Sequence, residues 1–126
     1  MAKKVITLPT ATKLPYSPAV KAGDYIFVSG QVGHLDDQGN RIEGIEAQAR
    51  QCFENTKKVL TAGGAALEDV VKVTVFLRDE RDFVRMNDVY RGCFNGMLPA
   101  RSTVIASPPL PGILIEVDCI AYAPGK

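Results

Sequence analysis

The sequence predicts an α+β fold in which one mixed β-sheet carries two helices packed on one of its faces. Two amphipathic segments alternate with apolar segments rich in β-branched residues, in the order β-α-β-α-β-β after an N-terminal strand or hairpin. The 126 residues are 46% hydrophobic and 23% charged, which fits one domain over residues 1–126. Two helices cover only one face of a sheet, so we expect another subunit to cover the other face and the protein to be a homo-oligomer.

The first half of the chain contains a strand and a helix. Residues 24–29 are typical of a strand, and Gly30 after them permits a backbone conformation that larger residues resist. Between residues 45 and 60, apolar side chains recur with a period near 3.6 while Gln48 and other polar residues take the opposite side, which predicts an amphipathic helix. The pair Gly63-Gly64 supplies the stop signal of this helix.

The second half begins with the most strand-like segment of the sequence. Residues 70–77 are apolar or β-branched at nearly every position, which predicts a central strand. The alternation along it assigns the side chains to two faces, with Val71, Val73, Val75 and Leu77 on one and Val70, Thr74 and Phe76 on the other. An apolar stripe over residues 83–94 predicts the second helix, which Gly96 is expected to end. Two last strands, 101–106 and 113–122, flank a proline-rich loop.

Composition argues against several classes of protein. The formal net charge is +1, with 15 Lys+Arg against 14 Asp+Glu, so no strong field attracts nucleic acid or an anionic membrane. No segment approaches the length of a membrane span, residues 5–8 are too short for a signal peptide, and we expect a cytoplasmic protein. Three cysteines lie far apart and His34 is the only histidine, so neither a disulfide framework nor a metal site is predicted.

Two charged residues stand out because strand-like, apolar sequence surrounds them: Arg101 and Glu116. A charge in such a setting is costly to bury unless it has a partner or a ligand. A guanidinium can hold a carboxylate through two parallel hydrogen bonds, and a nearby carboxylate can orient water or move a proton. The pair therefore indicates either a small pocket for an anionic substrate or a structural ion pair. Asp118, two residues after Glu116 on the same side of the strand, is a second candidate for the acid.

Several short segments occur in an order and at a spacing that match one protein family. They are Leu14-Pro15-Tyr16, Val28-Ser29-Gly30-Gln31, Ala47-Gln48-Ala49-Arg50, Val71-Lys72-Val73-Thr74-Val75-Phe76, Met86-Asn87-Asp88-Val89-Tyr90, Pro99-Ala100-Arg101-Ser102, Leu110-Pro111 and Ile115-Glu116-Val117. Together they resemble the RidA family, also called YjgF or L-PSP, over nearly the whole chain. The resemblance implies a chorismate-mutase-like α+β fold, a homotrimer with clefts between its subunits, and no metal or organic cofactor.

The resemblance also implies an activity. Well-understood members hydrolyse reactive enamine and imine acids, such as 2-aminoacrylate and 2-iminobutanoate, to 2-keto acids and ammonia, and relatives deaminate 3-aminoacrylate or 2-aminomuconate. The implied function is a cofactor-independent deaminase that acts on a small, carboxylate-bearing imine or enamine. Two alternatives stay open: a non-catalytic regulatory module that binds 2-keto acids, and a translation-inhibiting endoribonuclease. Neither a basic stripe nor a pair of histidines supports the endoribonuclease.

The roles that the resemblance implies fall on individual residues. Arg101 matches the arginine that binds the substrate carboxylate, and Glu116 matches the acid that positions the attacking water. The other substrate-binding matches are Tyr16, which closes the cleft, Ser29 and Gly30, which form a wall of it, and Asn87, which makes a polar contact. Without the family resemblance, Tyr16 would suit an aromatic residue at an interface, Ser29 a hydroxyl at the end of a strand, and Asn87 a solvated helix residue.

The chain departs from the family pattern at the cleft. Thr103, which we include among the substrate-binding residues, stands where many deaminating members have a cysteine, so a hydroxyl replaces the thiol. Hydrolysis by water needs no covalent nucleophile. Leu14 stands where a glycine commonly precedes the Pro-Tyr pair, and Gly33 replaces a proline. These departures predict a reshaped rim and leave the identity of the imine open. His34 is assigned no role, because a lone loop histidine is usually solvated.

Overall fold

The structure is a computed structural model that describes residues 3–9 and 14–125. Its strands are β1 (Lys4–Ile6), β2 (Ala19–Ala22), β3 (Tyr25–Val32), β4 (Val70–Leu77), β5 (Ala100–Ile105) and β6 (Ile115–Tyr122), and its helices are α1 (Ile45–Ala62) and α2 (Phe83–Cys93). The described strands form one six-stranded sheet in the order β1-β2-β3-β6-β4-β5, in which only β4 and β5 pair in parallel. The predicted α+β class, with a mixed sheet and two helices, is confirmed.

Both helices pack on the same face of the sheet. Along β6 the side chains of Ile115, Val117 and Cys119 are buried beneath them, as alternation along a strand requires. The ring of Phe53 in α1 meets the ring of Tyr90 in α2 edge-on, with 5.6 Å between the centroids. The apolar core therefore lies between the two helices and one side of the sheet. In the described part of the chain, neither helix is both long and apolar enough to cross a membrane.

The opposite face of the sheet carries large apolar side chains that no described element covers. Tyr25 and Tyr122 pair across β3 and β6, with their ring centroids 5.2 Å apart, and Phe27 pairs with Ile120 on the same face. Tyr25, Phe27 and Tyr122 are 45%, 46% and 43% exposed. Exposed apolar surface of this extent is typical of a protein–protein interface, so the homo-oligomer stays a prediction that this face supports.

The faces predicted for β4 are right for most of the strand and wrong at its start. Val73, Val75 and Leu77 are buried beneath the helices. The register against β6 shifts between Val70 and Lys72, and this irregularity turns Val70 inward and leaves Val71 43% exposed, the reverse of the prediction. One extra residue in a strand inverts the alternation beyond it, and strict alternation in the sequence does not reveal where this occurs.

Two predictions about the helices also need correction. Gln48 was placed on the polar side of α1, but only 3% of it is exposed, because its amide lies between the helix and the loop before β6. The second helix ends at Cys93, and Gly96, with φ at 83°, belongs to the turn that follows. The stop signal of α1 is confirmed, because Gly63 caps the helix and Gly64 adopts φ of 83°.

Candidate active site

Arg101 and Glu116 project from opposite faces of the sheet. Arg101 lies in β5 and pairs with Val73 of β4, whose side chain is buried beneath the helices. Glu116 lies in β6 and pairs with Phe76, on the face that the helices leave open. Within one chain the two residues form no ion pair. The structural ion pair that the sequence left open does not form within one chain, and each charge belongs to a separate part of its surface.

Arg101 lies in a small pocket, here called the arginine pocket, of about 240 Å³ beside α2. The residues lining it are Asn87, Tyr90, Arg91, Leu98, Pro99 and Arg101. The guanidinium carbon of Arg101 lies 4.6 Å from the ring centroid of Tyr90 and 5.8 Å from that of Phe83. These rings support the planar cation from below, while no described residue pairs with it or accepts a hydrogen bond from it. Its five N–H donors are consequently available to an anion.

Three buried polar atoms on the same side of the sheet as Arg101 have no hydrogen-bond partner among the described residues: Asn87 Oδ1, the Tyr90 hydroxyl and Thr103 Oγ1. Thr103 pairs with Val75 and so lies on the same face as Arg101. Buried polar groups in folded proteins almost always have a partner, so this group indicates a ligand, water or another subunit at the pocket. The sequence missed Tyr90, which was assigned only to the apolar stripe of α2. The available signal was its hydroxyl, because a residue that only fills an apolar stripe could equally be phenylalanine.

Glu116 lies in a different depression, the glutamate cleft, on the open face of the sheet. It has a volume of about 520 Å³, and its lining includes Leu14, Tyr16, Ser29, Gly30, Leu110, Ile113 and Glu116. The carboxyl group has no hydrogen-bond or ion-pair partner among the described residues. Burial, and secondarily the negative charge of Asp118, raises the pKa of Glu116 above its ordinary value. A carboxylate with a raised pKa is a stronger base, which suits a group that takes a proton from water.

Gly30 is needed at the glutamate cleft for space. A Cβ atom added at Gly30 would overlap the carboxyl group of Glu116. The backbone of Gly30 does not adopt positive φ, so the conformational reason given from the sequence is wrong. The register between β3 and β6 shifts between Val28 and Gln31, and this irregularity places Ser29 and Gly30 beside the carboxyl. Glycine at this position thus lets Glu116 lie flat against the β3 backbone.

Ser29 and Tyr16 complete the polar part of the glutamate cleft. The Ser29 hydroxyl donates to the carbonyl oxygen of Ser17 at 2.6 Å, and this bond fixes the segment that carries Tyr16. The hydroxyl proton is therefore engaged, and only its acceptor lone pairs face a ligand. Tyr16 is 56% exposed at the rim. The predicted site residues thus divide into two groups, with Arg101, Asn87 and Thr103 on one side of the sheet and Tyr16, Ser29, Gly30 and Glu116 on the other.

Two residues that sequence reasoning did not assign to the site hold one wall of the glutamate cleft. Arg78 donates from Nε to the Ile113 carbonyl at 2.8 Å and from its terminal nitrogen to the Pro108 carbonyl at 2.9 Å. Gln48 Nε2 donates to the Gly112 carbonyl at 2.9 Å. The loop between β5 and β6 is irregular, and these side chains satisfy its backbone in place of a strand or helix. For Gln48 the available signal was its spacing of four residues from Cys52, one helical turn, which puts both residues on the same side of α1.

The thiols do not provide a nucleophile. Burial raises the pKa of Cys119 to about 12, and it also raises the pKa values of Cys52 and Cys93. All three groups remain protonated near neutral pH, whereas the reactive form of cysteine is the thiolate. The described ranges contain no group of three or more histidine, cysteine or acidic residues that could hold a metal ion. The chemistry that the described side chains offer is anion binding by Arg101 and proton transfer by Glu116.

Comparisons with known proteins identify one family over nearly the whole chain. The model of a family described as endoribonuclease L-PSP matches residues 7–123. A RutC family protein of Pyrococcus abyssi is 45% identical over 97% of this chain and 98% of its own length. A 2-iminobutanoate/2-iminopropanoate deaminase of Dermatophagoides farinae is 38% identical over 94% of both chains. The solved structure of YyfA, a Rid family protein of Yersinia pestis, is 36% identical, covers 97% of this chain and all of its own, and superimposes with a TM-score of 0.88.

Proposed function

The chain belongs to the endoribonuclease L-PSP family, which includes the RidA and YjgF proteins, and we propose that it is a cofactor-independent deaminase of reactive 2-imino acids. The observation that carries the proposal is the pair of half-sites: a guanidinium with free donors in the arginine pocket and a carboxyl of raised pKa in the glutamate cleft. A 2-imino acid offers a carboxylate to the first group and an electrophilic carbon to water held by the second.

The two half-sites act together only if they come from different subunits. Arg101 and Glu116 lie on opposite faces of one sheet, so one substrate molecule cannot bridge them within a single chain. In the proposed homotrimer, the open face of one subunit packs against its neighbour, and Arg101 meets the partner subunit's Glu116 across a cleft. The buried polar atoms of Asn87, Tyr90 and Thr103 would find partners in the same cleft.

The proposed reaction converts an imine and water into a 2-keto acid and ammonia. Arg101 binds the substrate carboxylate, and Glu116 takes a proton from water as its oxygen bonds to the imine carbon. The electron pair of the C=N double bond moves to nitrogen, to which protonated Glu116 returns the proton. Glu116 then removes the hydroxyl proton of this carbinolamine while the C=O bond forms. The C–N bond breaks, and the nitrogen takes that proton and leaves as ammonia.

The other candidate functions have less support from the described residues. The family description names an endoribonuclease, but the chain has a single histidine and a net charge of +1. RNA cleavage needs an acid and a base at the ribose together with cations for the phosphate backbone. A regulatory module that binds 2-keto acids would use the same Arg101 but would have no need for a carboxyl of raised pKa in the glutamate cleft. Glu116 therefore favours the deaminase.

A coupled assay tests the proposal directly. An amino-acid oxidase or a pyridoxal-phosphate dehydratase, in excess, generates imines from different amino acids, and the 2-keto acid is followed with and without this protein. We expect faster keto-acid formation than spontaneous hydrolysis gives. Binding of 2-keto acids with no acceleration for any supplied imine would contradict the deaminase and favour the regulatory module.

The homotrimer is tested by sedimentation equilibrium. We expect one species with three times the chain mass of 13.6 kDa at micromolar concentration, because apolar residues on the open face need a partner. A monomer under these conditions would contradict both the trimer and any site that is built between subunits.

Replacing Asp118 with asparagine is expected to move the acid limb of the pH–rate profile to lower pH. The negative charge of Asp118 contributes to the raised pKa of Glu116, so its removal lowers that pKa and keeps Glu116 ionised in more acidic solution. In the unmodified protein, kcat/KM should fall as pH decreases through a pKa above that of an ordinary glutamate. The profile is measured with the coupling enzyme in excess at each pH. Asp37→Asn, an exposed change on another loop, is the control and should leave the midpoint in place.

A further inference from the structure

One wall of the glutamate cleft is apolar and faces the carboxyl group of Glu116. Leu14, Leu110 and Ile113 line the cleft together with Glu116. Leu14 and Leu110 are 54% and 55% exposed, so their side chains offer apolar surface to whatever enters. None of the described residues that line this cleft is a lysine or an arginine. A ligand group next to Glu116 thus meets apolar contacts on one side and, from the described residues of the same chain, no positively charged lining.

Side-chain hydrogen bonds hold the loop that carries Leu110 and Ile113. The terminal nitrogen of Arg78 donates to the Pro108 carbonyl at 2.9 Å and to the Leu110 carbonyl at 3.2 Å. On the far side of the same loop, the Leu114 N–H donates to Gln48 Oε1 at 2.9 Å. Charged and bidentate side-chain bonds of this kind hold an irregular loop in one conformation. A preformed wall selects among ligands by size and polarity, whereas a mobile loop would adapt to each of them.

We infer that this wall, formed by Leu14 and by Leu110 and Ile113 on the loop that Arg78 holds, makes the protein prefer 2-imino acids whose side chain is apolar and contains three or four carbon atoms. The inference rests on the proposed function, which places the imine carbon at Glu116 and the carboxylate at Arg101 of the adjacent subunit. The remaining substituent on that carbon is the side chain, and in the glutamate cleft it faces the wall. Arg78 acts here as a positioning residue, because it contacts the loop and not the substrate.

The size of the preference follows from the surface that the side chain buries. Each methylene group removed from water against the wall should raise kcat/KM by about fourfold. A side chain with a second carboxylate should be rejected, since the wall supplies no counter-charge. The imine of leucine should accordingly be hydrolysed with a higher kcat/KM than the imine of alanine, by about 10-fold or more, and the imine of glutamate should be a poor substrate.

The test compares imines that oxidases generate from alanine, 2-aminobutyrate, norvaline, leucine and glutamate. We expect kcat/KM to rise from alanine to leucine in the unmodified protein. Leu14→Gly and Leu110→Ala should each lower kcat/KM for the leucine imine by about fourfold or more, mainly through KM, and change the alanine imine much less. Arg78→Gln should flatten the dependence on side-chain length in the same way. Val84→Ala, which removes exposed apolar surface from α2, is the matched control and should keep the full dependence.

The outcomes separate this inference from the proposed function. Hydrolysis that is equally fast for alanine, leucine and glutamate imines would overturn the preference and leave the deaminase intact. The preference would also be overturned, with the deaminase intact, if the Leu14→Gly and Arg78→Gln variants lowered the rate for every imine by the same factor. Absence of acceleration for all five imines would overturn the deaminase and the preference together. Leu14 and Leu110 are both more than half exposed, so the Leu14→Gly and Leu110→Ala variants are expected to fold.

Discussion

Replacing Glu116 with glutamine is expected to reduce imine hydrolysis by about 10²- to 10⁴-fold while 2-keto-acid binding persists. Glutamine has the same shape and can still form hydrogen bonds, but it cannot accept a proton from water. The residue makes no hydrogen bond or ion pair with a described residue, so the change removes no interaction on which folding depends within the chain. A loss of rate with affinity retained is the behaviour of a general base.

Calorimetry and the coupled assay on the same samples separate the two functions of the cleft. A 2-keto acid should bind Glu116→Gln with an affinity close to that of the unmodified protein, while keto-acid production falls to near the spontaneous rate. Glu54→Gln, an exposed change on α1, controls for the loss of one negative charge. If Glu116→Gln is fully active, Asp118 or bound water must supply the base, and the role given to Glu116 is wrong.

The sequence predicted the elements well because each is encoded by a local pattern. The apolar period of α1 and its glycine stop are short-range features, and the observed bounds, Ile45–Ala62, extend the predicted segment by one short stretch. The faces of the strands were harder to predict. An irregularity at the start of β4 inverts Val70 and Val71, and its cause lies in the register with β6, which is distant in sequence.

The site was predictable as a set of residues and unpredictable as an arrangement. Arg101 and Glu116 were identified because charge in apolar strands is costly. Their separation onto opposite faces depends on how β5 and β6 pair with β4, one in parallel and the other antiparallel. Alternation within each strand gives no information about the relative faces of two different strands. The sequence therefore indicated a shared pocket or an ion pair, and the structure places the two residues in separate pockets.

The residues that support the site carry even weaker signals. Arg78 follows β4, and from the sequence it has the features of an ordinary charged residue at a strand end. In the structure it donates hydrogen bonds to carbonyl groups of a loop that lies about 30 residues further along the chain. Gly30 reads as a conformational glycine, while the reason for it is the nearby carboxyl of Glu116. Both roles arise from contacts distant in sequence, so neither propensity nor periodicity contains them.

Replacing Arg101 with lysine is expected to weaken 2-keto-acid binding and imine turnover by about 10- to 150-fold, which corresponds to the loss of one charged hydrogen bond. A lysine keeps the positive charge, but a single ammonium cannot form two parallel bonds to a carboxylate. It also presents no planar group to the ring of Tyr90, 4.6 Å below the guanidinium carbon. Unlike Glu116→Gln, this variant should lose affinity as well as rate, because the arginine holds the ligand before and during the reaction.

The comparison with Arg91 shows whether position or charge decides the effect. Arg91 lines the same pocket, but its guanidinium already lies 3.4 Å from a carboxylate oxygen of Asp88 on the exposed side of α2. Arg91→Lys should therefore cost far less affinity than Arg101→Lys in the same calorimetric titration. Sedimentation of both variants checks that the assembly is intact. An Arg101→Lys protein that binds 2-keto acids with undiminished affinity, or one that dissociates, would show that Arg101 serves the architecture and that another group receives the carboxylate.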